Sequence, residues 1–478
     1  MKEPVSLYDE LVLPTLKGSH KSEVLLSATP HFEHFQHLRM ISRRLRTCVT
    51  AVPTAELPAP QVFVERALYG GILWPHYSHF LAEGIHRLWP LWFGLVPRDC
   101  LIAFHRVAGA PVPPFVFDVL AFLGIRAENV MLIDQPTQFG ELIIAKQAKM
   151  FGGRASDEYN ASFKSMSGGE VRFDRVYVSR SRYLAKAFYL GESLLQSQLE
   201  RAGFTIIYPE EWSLRDLVGI YRHASAIIFA EGGTLHVLEV TGGTPADVMI
   251  VNRRNIRYVE CSFVDSIVPL CKRVLAFEHK AALTTMHWDA GKGQPSIGLA
   301  SAYVDLQALL SAISGFFGID VGQLDPVELV RALQADLAKS IFYAPFEGLP
   351  DETVGKLLKV LKKQVLDLGL LGSPSVVAAL DVAATSPSTG SATPQAAALA
   401  LLGGTRAPAL VPSSDEPVCD AAPETQCDAA PETHTVYSRG RAVRGSQSRR
   451  SRMARKLEKW RRDPVGFWRD SWFYRWLG

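Results

Sequence analysis

Residues 203–236 read GFTIIYPEEWSLRDLVGIYRHASAIIFAEGGTLH, and the order of signals within them decides the fold. FTIIYPE is a short apolar run of strand type. Ser213 stands as the N-cap of a helix over SLRDLVGIYRHA, and SAIIFA predicts the next strand. Upstream, VRFDRVYVS from Val171 predicts a strand, and GESLLQSQLERAG a helix closed by Gly203 as its C′ residue. Downstream, TLHVLEVT predicts a short helix and PADVMIVN a further strand. Strands alternating with helices of this length predict a parallel, Rossmann-like sheet.

The same alternation begins near residue 61. QVFVERALYGGILW predicts strand, PHYSHFLAEGIHRLWPLWFGL a helix opened by Pro75, CLIAFHR strand, PPFVFDVLAFLGI helix and NVMLID strand. The stretch 141–170 reads as a link between the two series. The expected organisation is a lead-in over 1–60, an N-terminal Rossmann-like domain over 61–165 and a second Rossmann-like domain over 166–285. A helical extension over 300–372 comes next, then a linker over 373–437 and a basic-aromatic tail over 438–478. The linker is rich in Ala, Pro, Ser and Thr, with a tandem CDAAPETQ/CDAAPETH, and holds too little apolar mass to offset the entropy of ordering.

A chain of 478 residues predicts two or three domains. Its net charge of +3 conceals an asymmetry: from Arg439 onward there are 13 Lys and Arg against 3 Asp and Glu, and the remainder is acidic. The six cysteines form no CxxC pair, a scatter that suits a reducing compartment. The N-terminus lacks the apolar core of a signal peptide, and no run of about 18 apolar residues exists to span a bilayer. A cytoplasmic protein held at a surface is expected.

In open parallel sheets, ligands bind beyond the carboxyl ends of the strands. Three strand ends in the second series carry polar residues: Ser179-Arg180-Ser181-Arg182, Pro209-Glu210-Glu211, and Glu231-Gly232-Gly233-Thr234 followed by His236. Glycines admit close approach of backbone N–H groups to an anion, and the helix start near Thr234 adds partial positive charge. Arg180 and Arg182 are guanidinium donors suited to phosphate oxygens. Taken singly, an EGG turn is only a turn, two arginines after a strand are a solvated loop, and His236 is a core histidine. Their occurrence on adjacent strand ends of one sheet points to nucleotide binding.

RVYVSRSR, Glu192 in the next helix, GFTIIYPEEWSL and HASAIIFAEGGTLH together resemble the signature of glycosyltransferase family 61. That family includes bacterial capsular-polysaccharide transferases and some eukaryotic xylosyl- and N-acetylglucosaminyltransferases. Ala230-Glu231-Gly232-Gly233-Thr234-Leu235-His236 is similar to the A-E-G-S-A-L-H turn of many bacterial members. The departures are minor: Gly191 stands where Asn is common, and Gly-Thr replaces Ser-Ala. The resemblance covers about half the chain, roughly 61–280. It implies a GT-B fold, with two Rossmann-like domains facing a cleft, and inversion at the anomeric carbon.

The second constellation is WPHYSHFLAEGIHRLW at 74–89. On a helix, His76, His79, Glu83 and Arg87 share one face. The stretch is similar to the family's N-Y-x-H-F-x-x-E-x-x-x-R-L-W element, with His76 in place of Asn. Glycosyl transfer requires a base for the acceptor hydroxyl and positive charge or dipoles for the departing diphosphate. His79 is the first candidate for base because imidazole titrates near neutral pH. Glu83, one turn on, either orients it or serves as base itself. The expected catalytic residues are therefore His79 and Glu83. Expected donor or substrate contacts are His76, Arg87, Ser179, Arg180, Arg182, Glu210, Glu231, Gly232, Gly233, Thr234 and His236.

No metal and no cofactor are expected, the nucleotide sugar being a substrate. The chain has no Asp-x-Asp pair, and His31, His34 and His37 have ligand-like spacing without supporting ligands. In the tail, 439–462 holds eleven Lys and Arg, and Trp468, Trp472 and Trp476 are four apart. Basic residues with interfacial aromatics predict an anionic membrane surface as partner, in the plane of the bilayer. A protein partner is the next reading; nucleic acid is disfavoured, since no nucleic-acid module accompanies the tail. RKLEKWRRDPVGFWRDS also resembles a tail found on bacterial capsule glycosyltransferases.

The expected function is transfer of a sugar from a nucleotide donor to a capsular or other surface glycan by a peripheral enzyme at the inner face of the cell membrane. Two alternatives share the fold: a polysaccharide pyruvyltransferase-like enzyme, and a non-catalytic membrane-bound assembly protein.

Overall fold

The computed structural model describes residues 3–17, 58–107, 110–182, 189–253, 264–277, 302–342, 349, 351–367 and 435–438, with short pieces between 24 and 52 and between 281 and 295. The chain parts into two compact units, 1–439 and 440–478. The basic-aromatic tail beyond Ser438, almost all of the linker expected at 373–437, and His31 and His37 lie outside the described residues.

The first sheet contains β1 (Val5–Val12), β2 (Val62–Leu73), β3 (Ile102–Arg106), β4 (Val130–Leu132) and β5 (Thr137–Ile144), in the order β1-β5-β2-β3-β4. Four strands are parallel, and β1 closes the edge antiparallel to β5. Both β1 and β5 go beyond the spacing of apolar residues, which reads 1–60 as lead-in and 141–170 as link. Gly140 interrupts the β5 pattern because its Cα lies against the Glu65 carbonyl, where a Cβ would sit 2.8 Å from that oxygen. β2 is bulged between Tyr69 and Gly71, and Gly71 takes φ +98°, a left-handed value that favours glycine.

The second sheet is made of β6 (Arg175–Val178), β7 (Thr205–Ile207), β8 (Ala226–Ala230), β9 (Asp247–Val251) and β10 (Arg273–Phe277). Its order is β7-β6-β8-β9-β10, all parallel, with Thr435–Ser438 antiparallel beyond β10. This 2-1-3-4-5 order is that of a doubly wound α/β sheet. The strands are buried on both faces, so alternate residues serve two cores. Val176, Val178, Ile227, Phe229, Val248 and Ile250 enter one, whereas Tyr177, Ile228, Met249 and Val251 enter the other.

Helix α1 (Pro114–Phe122) lies between β3 and β4 of the first sheet, and two crossover helices cover opposite faces of the second. The helix after β6, α2 (Glu192–Arg201), ends on Gly203 at φ +83°, with Phe204 N–H donating to Leu199 O and Gly203 N–H to Glu200 O. That is the Schellman pattern expected of a C′ glycine. The helix before β8, α3 (Leu214–His223), is capped by Ser213, whose Oγ accepts from Asp216 N–H at 3.1 Å. The helical text after 300 continues this layering. Helix α4 (Leu306–Phe317) starts on an Asp305 cap and buries Leu309, Leu310 and Ile313 beside Met249 and Leu275. Arg273 ties it down, bidentate to Asp247 at 2.9 and 2.6 Å with its guanidinium 4.7 Å from the Phe316 ring centre.

The two sheets are joined through one apolar cluster. It includes Phe80, Phe104 and Val116 from the first half of the domain and Val218, Phe229 and Leu235 from the second. Leu309→Ala, at a fully buried position of α4, is expected to cost about 2–5 kcal/mol. A lowered midpoint of urea unfolding checks this, and an unchanged midpoint contradicts a core role for α4.

Candidate active site

The strand order of the second sheet reverses between β6 and β8, a topological switch point at which open α/β sheets bind ligands. The Ser179–Arg182 loop leaves β6 there, and the Glu231–Thr234 turn leaves β8. Buried Glu192, at the start of α2, organises the first loop. Its Oε1 accepts from Arg180 N–H at 2.7 Å, Ser179 Oγ at 2.9 Å and Tyr177 OH at 3.0 Å. Gln196 donates to Ser179 Oγ and to Ser181 Oγ, which fixes the loop from the next turn of the helix.

The glycines of the second turn serve close approach. Gly232 is extended, and a Cβ there would lie 2.3 Å from Arg180 Nη1. A Cβ on Gly233 would lie 2.9 Å from the Cβ of Ser78, which belongs to the first half of the domain. Arg180 and Ser78 therefore both rest on the Gly-Gly pair. A 3₁₀ helix over Gly233–Val240 comes next, with Thr234 half-buried in its first turn.

Opposite this turn is the histidine segment. The helix expected over 76–93 is broken into a short turn, Tyr77–His79, a π-helix, Phe80–Gly84, and a separate helical turn, Trp89–Trp92. His79 Nδ1 and Glu83 Oε1 are 2.5 Å apart, with Glu83 fully buried and the His79 side chain 19% exposed. His76 Nδ1 bonds Ser78 Oγ at 2.8 Å, and its ring lies edge-on 5.1 Å from that of His79. π-turns within helices concentrate at functional sites.

The remaining expected residues divide. Arg87 is not part of this group: it is buried, and its Nη1 donates to Ala145 O and His34 O while Nη2 donates to Gln36 O. It thereby holds the N-terminal segment. Arg182 is 41% exposed, stacked 3.7 Å from the Tyr208 ring centre and ion-paired with Glu211. Glu210 is exposed, and partial desolvation pushes its carboxyl up. Glu231 is buried, and its Oε2 accepts from Arg253 N–H at 2.8 Å, so it fixes the loop after β9.

His236 leads to two residues that spacing alone did not single out. Its Nδ1 lies 2.8 Å from Glu239 Oε1, Ser266 Oγ donates to the same oxygen at 2.9 Å, and Lys149 Nζ pairs with Glu239 Oε2. The side chains of Lys149 and Glu239 are only 3% and 6% exposed. The available signals were an acid inside the apolar run VLEV and the i,i+3 spacing from His236. Phe151 packs against both imidazoles, with ring centres 5.3 Å from His79 and 6.3 Å from His236. Among the described residues no group of three or more His, Cys, Asp and Glu is arranged to hold a metal ion.

A glycine turn at a switch point is thus brought against the segment that carries a carboxylate–imidazole pair in the first half of the domain. Residues 77–238, from the histidine turn to the 3₁₀ helix, match the family model Glycosyltransferase 61. Over this third of the chain the protein is similar to glycosyltransferase family 61. No curated protein shows a significant match to it.

The buried network makes stability depend on pH. Burial pushes the His236 imidazole below its ordinary value of 6.5. Burial pushes the Glu239 carboxyl up, but Lys149 and His236 outweigh it and hold the group well below its ordinary 4.5. Both groups bind fewer protons folded than unfolded. Stability is therefore full above about pH 6.5, declines below it as His236 protonates in the unfolded chain, and declines further below about 4.5 through Glu239. Buried His105, pushed by desolvation to about 4, adds to the first decline. Thermal unfolding measured from pH 8 to 5 should show falling midpoints, with a shallower slope in His236→Gln. A flat profile in the wild type contradicts the buried, neutral state of these histidines.

Proposed function

We propose that the protein transfers a sugar from a nucleotide-sugar donor to a hydroxyl of a capsular or other surface glycan, with inversion and without a metal, in a GT-B-like arrangement. The observation that carries this reading is the His79–Glu83 pair beside the turn that also receives Arg180. With Nδ1 donating to Glu83, the basic atom of His79 is Nε2. It takes the proton as the acceptor oxygen bonds to the anomeric carbon. The bond from that carbon to the diphosphate breaks, and the diphosphate leaves with its electron pair. Arg180 and the backbone N–H groups of Gly232–Thr234 meet the charge that develops on it. Glu210, at the end of the neighbouring strand, is positioned for donor hydroxyl groups, and Ser179 shapes the phosphate loop.

The absence of an Asp-x-Asp pair in the sequence favours metal-independent neutralisation. A panel of nucleotide sugars screened by thermal stabilisation identifies the donor, since a ligand at 100 times its dissociation constant adds ~2.7 kcal/mol. With that donor, His79→Ala and Glu83→Gln are expected to lower kcat by about 10²–10⁴ while leaving donor binding intact. Transfer at the wild-type rate by His79→Ala refutes the base assignment.

The tail supports a place at the inner face of the cell membrane. No helix among the described residues is long and apolar enough to cross a bilayer, and each basic residue near an anionic leaflet contributes ~1 kcal/mol. The protein is expected to co-sediment with phosphatidylglycerol-containing vesicles but not with phosphatidylcholine vesicles. Replacing Trp468, Trp472 and Trp476 with Ser should abolish that binding; retention of binding by the triple variant contradicts an interfacial tail.

A further inference from the structure

The reading of His79 as base leaves a second carboxylate–imidazole pair beside it without a task. His236 comes from the 3₁₀ helix of the second sheet, and Phe151 packs against both imidazoles. Glu239 approaches His236 through Oε1 and Lys149 through Oε2, so one carboxylate joins the linking segment to the 3₁₀ helix. His86 faces the same cluster, with its Nδ1 3.1 Å from Lys149 O. Such a buried ion pair is a poor source of stability, because the cost of desolvating both charges rivals their attraction. A group of this cost beside a candidate base is better explained by what it does to the imidazole it touches.

We infer that Lys149 and Glu239 are positioning residues that act through His236. Together they hold its imidazole in the Nδ1–H tautomer, with Nε2 as the basic atom, beside the His79–Glu83 pair. The inference rests on the proposed glycosyl transfer. The direction of the hydrogen bond is set by charge. Glu239 is kept ionised by Lys149 and accepts from Ser266 Oγ as well, so the proton between it and His236 belongs to Nδ1. Burial keeps the ring neutral. A neutral imidazole of fixed tautomer presents a fixed dipole to the transferring group and adds no positive charge next to His79. A carboxylate that loses its negative charge no longer selects one tautomer over the other, and a mis-set tautomer defeats catalysis without disturbing geometry.

The charged groups around His236 are Glu239 on its own helix, Lys149 from the linking segment and His79 from the short turn before the π-helix; those around Glu239 and Lys149 add His86 and Glu83. Asp265 stands next to Ser266 on the turn that closes the cluster. A pH effect on transfer is therefore read by comparing variants, which hold every other group constant.

The test uses the full-length protein labelled with ¹⁵N-histidine, the His236 ring signals being assigned by their loss in His236→Gln. The wild type is expected to show His236 neutral and in the Nδ1–H form between pH 6 and 8. Glu239→Gln should admit the other tautomer. The double variant Lys149→Met/Glu239→Gln removes both charges and leaves a neutral, well-filled site, so it folds even if Lys149→Met alone does not. With the donor identified by thermal stabilisation, the double variant should lose about tenfold or more in kcat with KM changed less than about threefold, and the pH profile of kcat should shift. An Nε2–H or doubly protonated His236 in the wild type overturns the inference. So does a double variant that transfers sugar with wild-type kcat and pH profile. A wild type that transfers no sugar from any donor overturns the functional reading itself, and is recognised before any variant is compared.

Discussion

Charge buried inside a shared apolar core is the constraint on which this structure turns. Lys149 and Glu239 are almost fully enclosed, Glu83 has no exposure, and all lie among residues of the cluster that joins the two sheets. Removing such groups from water costs several kcal/mol each, and only close partners and further hydrogen bonds return it. The partners of Lys149 and Glu239 come from different stretches of chain, the segment after β5, the 3₁₀ helix after β8 and the turn at Ser266, whereas Glu83 meets His79 within its own segment. The apolar cluster brings the two halves together, and the ion pairs determine in which register they meet.

That register brings two loop systems into contact. In a doubly wound sheet the crevice between the first and third strands exists because their crossovers run to opposite faces. Here α2 lies on one face and α3 on the other. Gly232 and Gly233 then let a side chain from each half of the domain, Arg180 and Ser78, settle against the same short piece of backbone. A β-carbon at either position would force those side chains apart. The tight turn and the buried charge are two expressions of one requirement, that the halves touch closely where chemistry occurs.

Much of the second sheet was legible because each signal in it is local. Ser213 caps its helix, Gly203 ends one, and the runs at 176–178 and 226–230 are apolar enough to be buried on both sides. The first sheet was harder. β1 and β5 gain their place by pairing with each other across more than a hundred residues of sequence and, for β5, with β2 from Thr137 to Val62, and Gly140 breaks the apolar alternation for the sake of the Glu65 carbonyl. Helix α4 was visible as a helix, but its role was not. What it covers is decided by the outer face of β9 and β10, which no periodicity within α4 can report.

The site shows the same division more sharply, and its arginines make the case. Residues 180, 182 and 87 are one chemical type at positions that spacing treats alike. Arg180 lies against the glycine turn, Arg182 is held at the surface by Tyr208 and Glu211, and Arg87 is spent on backbone carbonyls. For Arg87 the cause is identifiable. Helical spacing puts positions 79, 83 and 87 on one face, and the contact from 79 to 83 does form. The π-turn over 80–84 then accommodates an extra residue, which rotates the residues after it by about 100° about the axis. The bulge in β2 completes the displacement, since Gly71 leaves room for the Arg87 side chain, whose Cδ lies 3.3 Å from where a Cβ would be. A pattern of residue types predicts a shared face only while the backbone keeps one period; at the candidate site it changes period, and the arginine is turned into the fold.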